Sequence, residues 1–243
     1  MNYELDNGIG DGTRVGAIIL TTDETLEYEA RQVLAGRGVN LMHARIPSEA
    51  DVTPETLRAM AASMTATAEL LPRGLHSIAY GCTSASTVIG PDEVARLIGE
   101  AHPGTPVANP ISSVMDALGA LGASRIALVT PYVPSVTAPM RALLAENGIE
   151  TVSEVSFGEG DDWKVARISE ASTRAAMLEA GRAEGVEAIF ASCTNLRTFG
   201  IIDAVEDELG VPVISSNLAL TWNMLRLAGV DAKGWGPGRL YRI

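Results

Sequence analysis

The chain has 243 residues, with 30 acidic side chains against 18 lysines and arginines and a formal charge of −12. That length builds one large domain or two small ones, and with 47% hydrophobic residues and only 5% aromatics the core is mostly Ala, Val, Ile and Leu, which fits neither disorder nor a coiled coil. So acidic a chain without basic clusters lacks the cationic footprint that nucleic acid or an anionic membrane surface requires, so neither is expected as a partner.

In chain order, short β-branched runs alternate with helical-period segments. Strands are expected at 14–20, 38–46, 76–83, 105–109, 125–131, 150–157, 186–194 and 211–216. Helices are expected at 23–36, 54–71, 91–100, 111–122, 134–147, 167–184, 200–209 and 217–228. Thr53-Pro54-Glu55 and Pro91 open helices, and Gly148 and Gly210 stop them. The tail at 234–243 reads as a loop packing back on the body. Alternation at this spacing predicts an α/β fold with parallel sheets covered by helices.

The series runs twice. Arg14 and Arg125 open matching strands 111 residues apart, and Cys82 and Cys193 are separated by the same 111. An acidic helix follows each cysteine, then a Pro-containing strand, then a helix ending LGALG at 118–122 or LRLAG at 225–229. The expectation is two similar flavodoxin-like halves, each with a parallel four-stranded sheet, related by a pseudo-twofold with the active site in the cleft between them. Residues 1–117 with 218–243 form the first half and 118–217 the second.

Ligands of open parallel sheets bind beyond the carboxyl ends of the strands, and both cysteines sit at such ends. Two cysteines in so long a chain are no disulfide framework. With an acidic N-terminus lacking a basic, apolar leader and no run long enough to span a bilayer, a cytoplasmic protein is expected. A lone buried cysteine reads as a core residue. Two at equivalent turns read as a pair able to take a proton from one face of a substrate and return one to the other. A helix N-terminus near each thiol is expected to lower its pKa. Thr83, Ser84, Thr194 and Asn195 offer hydroxyl, amide and backbone donors for a carboxylate.

Other chemistries fit less well. His43, His76 and His102 show no ligand spacing, so no metal is expected. The Gly8, Gly10, Gly12 series precedes the first strand, where a dinucleotide fingerprint would follow it. No Gly-x-Ser-x-Gly elbow is present.

The motifs YGCTSAS (80–86), LVTPY (128–132), SCTNLRT (192–198) and GVPVISSNLA (210–219) resemble the aspartate/glutamate racemase superfamily, most closely its maleate isomerase and arylmalonate decarboxylase branch and, within that, the ectoine-utilisation protein A group. The likeness runs from Arg14 to residues 238–240. It implies cofactor-independent chemistry with Cys82 and Cys193 as the catalytic pair and Tyr132 donating its phenol to a substrate carboxylate. The decarboxylase is similar in fold but has glycine at the position of Cys82, so two thiols point to an isomerase. Where maleate isomerases have asparagines, this chain has Asp23 and Asp162, and an ionised Asp repels a carboxylate. The resemblance therefore implies an amino-acid-like or ectoine-derived carboxylate, with maleate cis-trans isomerisation as the alternative and a non-catalytic binding protein as the second. Asp23 reads equally as a helix cap, and Asp162 as a solvated loop residue beside Trp163, a candidate lid. Classical amino-acid racemases resemble Cys-Thr-Glu or Cys-Thr-His at the second motif, where this chain has Asn195. Ala-rich helices leave room for a homo-oligomer.

Overall fold

The computed structural model describes residues 1–6, 8–9 and 12–243; Gly10 of the glycine series lies outside them. The first half runs β1 (Thr13–Leu20), α1 (Leu26–Leu34), β2 (Val39–Ile46), α2 (Pro54–Ala59), α3 (Ala61–Ala68), β3 (Ser77–Gly81), α4 (Thr83–Ile89), α5 (Pro91–Ala101), β4 (Val107–Ala108) and α6 (Pro110–Leu121). The second runs β5 (Arg125–Thr130), α7 (Pro134–Glu146), β6 (Glu150–Ser156), α8 (Asp162–Val165), α9 (Glu170–Gly181), β7 (Ala188–Ala191), α10 (Ile202–Leu209), β8 (Val213–Ser215) and α11 (Ser216–Leu227). Among the described residues no helix is long and apolar enough to cross a membrane.

Each half holds a parallel four-stranded sheet, ordered β2-β1-β3-β4 and β6-β5-β7-β8. The repeat seen in the sequence is thus a repeat of topology. The central strands are buried along almost their whole length, as parallel strands with helices on both faces must be. In each sheet the chain reverses its winding direction between the first and third strands, which opens a crevice at their carboxyl ends. That crevice receives Asp23 and Cys82 in the first half and Tyr132 and Cys193 in the second.

The halves are interlocked by their last helices. α6 follows the first sheet but packs Ile111, Val114 and Leu118 into the cluster around the second. α11 follows the second sheet but sends Leu220 and Met224 against Val15, Ala17 and Ala79 of the first. Each such side chain, fully buried, contributes about 1.5–3 kcal/mol, which favours a docked pair of halves. A division at 117/118 cuts through α6.

Several local expectations need correction. The segment 54–71 forms two helices that meet at Met60. The strand expected at 76–83 ends at Gly81, because Cys82 caps the unforeseen helix α4. TSASTVI carries no amphipathic period, since its first turn is buried on all sides. The tail closes in a single 3-10 turn, Arg239–Arg242, with Leu240 and Tyr241 in the core. Buried Glu206 anchors that turn by accepting from Arg239 N at 2.9 Å.

Candidate active site

Gly81 sets the approach to the first thiol. A Cβ there would lie 2.3 Å from Leu26 Cδ2, so a larger residue would require the Leu26 side chain to move from between α1 and the end of β3. Cys82 follows in extended conformation, and its Sγ accepts from Ala85 N at 3.4 Å, capping α4. Cys193 is held differently. No helix starts at once after it, and its φ of 149° is the one positive value among the described non-glycine residues. Such a backbone costs about 1–3 kcal/mol and persists only where its surroundings over-determine it. Here Cys193 N donates to Ser216 Oγ at 3.1 Å, and the Sγ accepts from Asn195 N at 3.2 Å. Thr83 Oγ1 donates to the same Ser216 oxygen at 2.7 Å, so one serine joins the two cysteine turns.

Tyr132, at the end of β5, places its hydroxyl 3.0 Å from Cys193 Sγ and donates to Asp162 Oδ1 at 3.4 Å. Asp162 is buried, not solvated, and its other oxygen accepts from Thr22 Oγ1 at 2.6 Å. Asp23 does both things expected of it in part. Its Oδ1 accepts from Thr25 N and Leu26 N, both at 2.8 Å, at the start of α1, while its Oδ2 is buried without a well-formed hydrogen bond, the nearby Thr194 hydroxyl offsetting only part of that burial. Ser84 Oγ is likewise buried without a partner. Thr194 Oγ1 reaches Gly81 O across the cleft at 3.4 Å.

Asn195 serves as a joint between the halves. Its Oδ1 accepts from Glu24 N at 2.9 Å, and its Nδ2 donates to Thr22 O at 3.2 Å and Asp162 O at 3.0 Å, so both amide donors are spent within the protein. Trp163 does not cover the cleft. It is 54% exposed and lies under the Arg167 guanidinium, 3.9 Å from the ring centroid.

The electrostatics reverse the expectation of acidic thiols. Burial pushes Cys82 up to about 12, and the charges of Asp162 and Asp23 add to this against the hydrogen bonds from Ala85 and Ser84. Burial and Asp162 also raise Cys193 well above the ordinary thiol range. The helix-start donors lose because, among the described residues, no cation offsets the burial of either sulfur. Burial raises Asp23 to about 6, and it raises Asp162 too. The cleft is thus a closed group of two thiols, a phenol and two carboxyls, poor in negative charge until something neutralises it.

Sequence reasoning missed a second layer. Glu29 of α1 is buried and accepts from Thr198 N at 2.7 Å, Phe199 N at 2.9 Å and Asn217 Nδ2 at 2.7 Å. It ties the first half to the turn after Cys193. The helical period of α1 makes Glu29 an inward position, and an acidic residue among apolar ones there was the available signal. Ser216 and Asn217 stood within the GVPVISSNLA motif. Glu29→Ala strands three buried donors, and we expect it to destabilise the fold by ~3 kcal/mol or more, measured by denaturant unfolding.

The inner cavity, lined in part by Cys82, Tyr132, Asp162, Leu57 and Met60, holds only about 10 Å³, room for about one water. It abuts a vestibule of about 300 Å³ with which it shares Ser48, Glu49, Thr56 and Met60. At the inner cavity, Val52 N donates to Gly160 O and Asp162 N to Ala50 O, both at 2.9 Å, holding the segment 50–52 onto 160–162. Among the described residues no three His, Cys, Asp or Glu side chains are grouped to hold a metal ion.

With this geometry the chain can be compared with known proteins. The arylmalonate decarboxylase family model matches residues 30–241. The chain belongs to that family. It is 36% identical over 140 residues to the arylmalonate decarboxylase of Bordetella bronchiseptica, an alignment spanning 57% of this chain and 58% of that enzyme. It is 26% identical over 240 residues to the maleate isomerase of Nocardia farcinica, 94% of this chain and 95% of the relative. Among solved structures, the maleate isomerase Iso of Pseudomonas putida S16 superposes with a TM-score of 0.85 at 26% identity, over 94% of this chain and 98% of that one. A liganded double mutant of arylmalonate decarboxylase, glycine to cysteine and cysteine to serine, superposes with a TM-score of 0.84 at 30% identity, over 95% and 99%. The two-sheet architecture is therefore that of the family, whose members are enzymes, and the branch is the racemase-like one that includes maleate isomerases.

Proposed function

We propose that the protein is a cofactor-independent two-cysteine isomerase that racemises or epimerises a small carboxylate also bearing a cationic or N–H group, an amino acid or an ectoine-derived compound in ectoine or hydroxyectoine catabolism. The supporting observation is that two thiols from equivalent turns enter one cluster with Asp23 and Asp162, where Asp23 Oδ2 has no well-formed hydrogen bond.

An unpartnered, buried carboxylate oxygen is a poor neighbour for a second anion and a good one for an ammonium or amidine. In this reading the substrate's positive charge sits by Asp23. Its carboxylate takes hydrogen bonds from Ser84, Thr83, Thr194 and Tyr132, and the α-carbon lies between the sulfurs. One thiolate removes the α-proton, the developing enolate charge is held by those donors, and the opposite thiol protonates the other face. Asn195 positions the Cys193 turn and Asp162. Entry of any carboxylate parts residues 50–52 from 160–162, since the closed cavity is too small to hold one.

Maleate cis-trans isomerisation is the second reading, favoured by the maleate isomerases among the relatives. There Cys82 adds to the double bond, rotation follows, and Cys193 supplies and recovers the proton. Incubation in D2O separates the two. Deuterium entering the α-position of a chiral amino acid or ectoine derivative is the expected result. Conversion of maleate to fumarate without exchange into amino compounds selects the second reading and discards the first.

A further inference from the structure

We propose that Cys193 loses its proton through Tyr132 to Asp162, making Asp162 the positioning residue that sets which thiol acts as base. The proposal rests on the two-cysteine reading and deepens it. Its geometry is a line of three groups: Cys193 Sγ, Tyr132 Oη 3.0 Å away, and Asp162 Oδ1 3.4 Å beyond, with the phenol donating to the carboxylate. The second contact is longer than a settled O–H···O bond, as catalytic contacts in empty sites commonly are. The carboxylate end is fixed, since Thr22 Oγ1 holds Oδ2 at 2.6 Å and Asn195 Nδ2 holds the backbone carbonyl at 3.0 Å.

The transfer balances. The S–H bond of Cys193 breaks and its proton bonds to the phenol oxygen as the phenol's own proton passes to Asp162 Oδ1. The products are a thiolate and a carboxylic acid, with one negative charge before and one after, and nothing is oxidised or reduced. Two negative charges so near one another in a buried site are mutually exclusive, so a thiolate at Cys193 requires a protonated Asp162. Cys82 has no such exit. Its Sγ accepts from backbone N–H groups at the start of α4, and among the described residues no carboxylate hydrogen-bonds to it. Cys82 thus remains the thiol that donates a proton when Cys193 acts as base. Asp23 stands outside the line, with one oxygen at the start of α1 and the other free.

Among the described residues the other charged groups near Asp162 are Asp23, whose carboxyl it helps to raise, Asp161, with Lys164 3.9 Å from it, and Glu49 and Asp51, which line the same cavity. Arg167 is engaged by Glu24 at 2.9 Å and by Trp163 O at 2.8 Å. None of them lies between Asp162 and the thiol.

Thiol reactivity tests this without any knowledge of the substrate. In the Cys82→Ser background Cys193 is the sole cysteine. Its alkylation by iodoacetamide near neutral pH is expected to slow about tenfold or more on Asp162→Asn and on Tyr132→Phe. The double variant should be no slower than the slower single one, because both act on one path. If Asp162 were only a nearby negative charge, removing it would make Cys193 more acidic and its alkylation faster. Alkylation of Asp162→Asn at or above the parent rate therefore overturns the relay. Asp162→Glu keeps an acceptor and is expected to restore the rate partly, and rates are compared only among variants with matching thermal unfolding. With substrate, Asp162→Asn should lower kcat and remove its acid limb while KM changes little. Persistence of turnover in Cys193→Ser would instead defeat the two-cysteine reading and leave the alkylation comparison intact.

Discussion

Serine at position 82 or at position 193 is expected to cripple turnover, each single variant falling by about 10²–10⁴ in kcat, the range that a positioned acid or base supplies. The hydroxyl fits either site, so folding is not the reason. Cys82 and Cys193 are both buried at sheet ends, and serine at each keeps the hydrogen bond from the following backbone N–H. What is lost is a group that can carry charge in a cleft where burial already makes ionisation hard. Because the two thiols act as one unit on opposite faces of a carbon, the double variant should be no slower than either single one. A finer result follows from the geometry. The Cys82→Ser variant retains Cys193 and its route to Asp162, so it should still exchange the α-hydrogen of one enantiomer with solvent without inverting it, whereas Cys193→Ser, left with a thiol that has no such route, should exchange neither. Chiral chromatography with mass detection in D2O reads this directly. Full activity in either serine variant would sink the two-cysteine scheme.

The duplication was legible because it repeats a chemical constraint. Arg14 and Arg125 lie at the starts of equivalent strands, and each cysteine stands the same distance, from Ser77 to Cys82 and from Ala188 to Cys193, beyond the start of an equivalent strand. The helix α4 was not legible. Its first turn is buried on every side, so no apolar stripe marks it, and its Thr and Ser residues read as strand or loop in isolation. The acidity of the site was half legible. The types and positions of Asp23 and Asp162 were readable, but no sequence pattern says that Asp23 keeps one carboxylate oxygen free while both oxygens of Asp162 are engaged. The thiol pKa went the other way from the sequence expectation for the same reason. A helix start is a local feature, while burial and the two carboxyls come from segments far apart in the chain. Glu29 escaped notice because its partners, Thr198, Phe199 and Asn217, become neighbours only when the halves dock.

Asp23→Asn is expected to exchange the substrate preference of the enzyme. Asn keeps an oxygen able to accept from Thr25 N and Leu26 N, so the start of α1 survives. The atom replaced by the amide nitrogen is Oδ2, which has no well-formed hydrogen bond in the protein. A substrate cation that pairs with that oxygen loses its counter-charge, and breaking one side of a buried pair lowers kcat/KM by about 10²–10³. A dicarboxylate such as maleate gains a donor in the same place and should bind better in the variant. The pH dependence carries the same assignment. Burial raises the Asp23 carboxyl to about 6, above the 3.8 of a free aspartate. The folded chain therefore holds that proton more tightly than the unfolded one, and the stability this contributes is complete below 3.8 and lost as the pH rises through about 6. A cationic ligand acts in the opposite direction. It binds the ionised form, so kcat/KM should rise with pH through about 6 in the native enzyme, and the ligand should raise the melting temperature more above that pH than below it. In Asp23→Asn this limb of kcat/KM should be flat, while the limb of kcat that depends on Asp162 should remain. An unchanged kcat/KM profile, or an undiminished preference for the cationic substrate, would remove Asp23 from the binding site and leave it as the cap of α1.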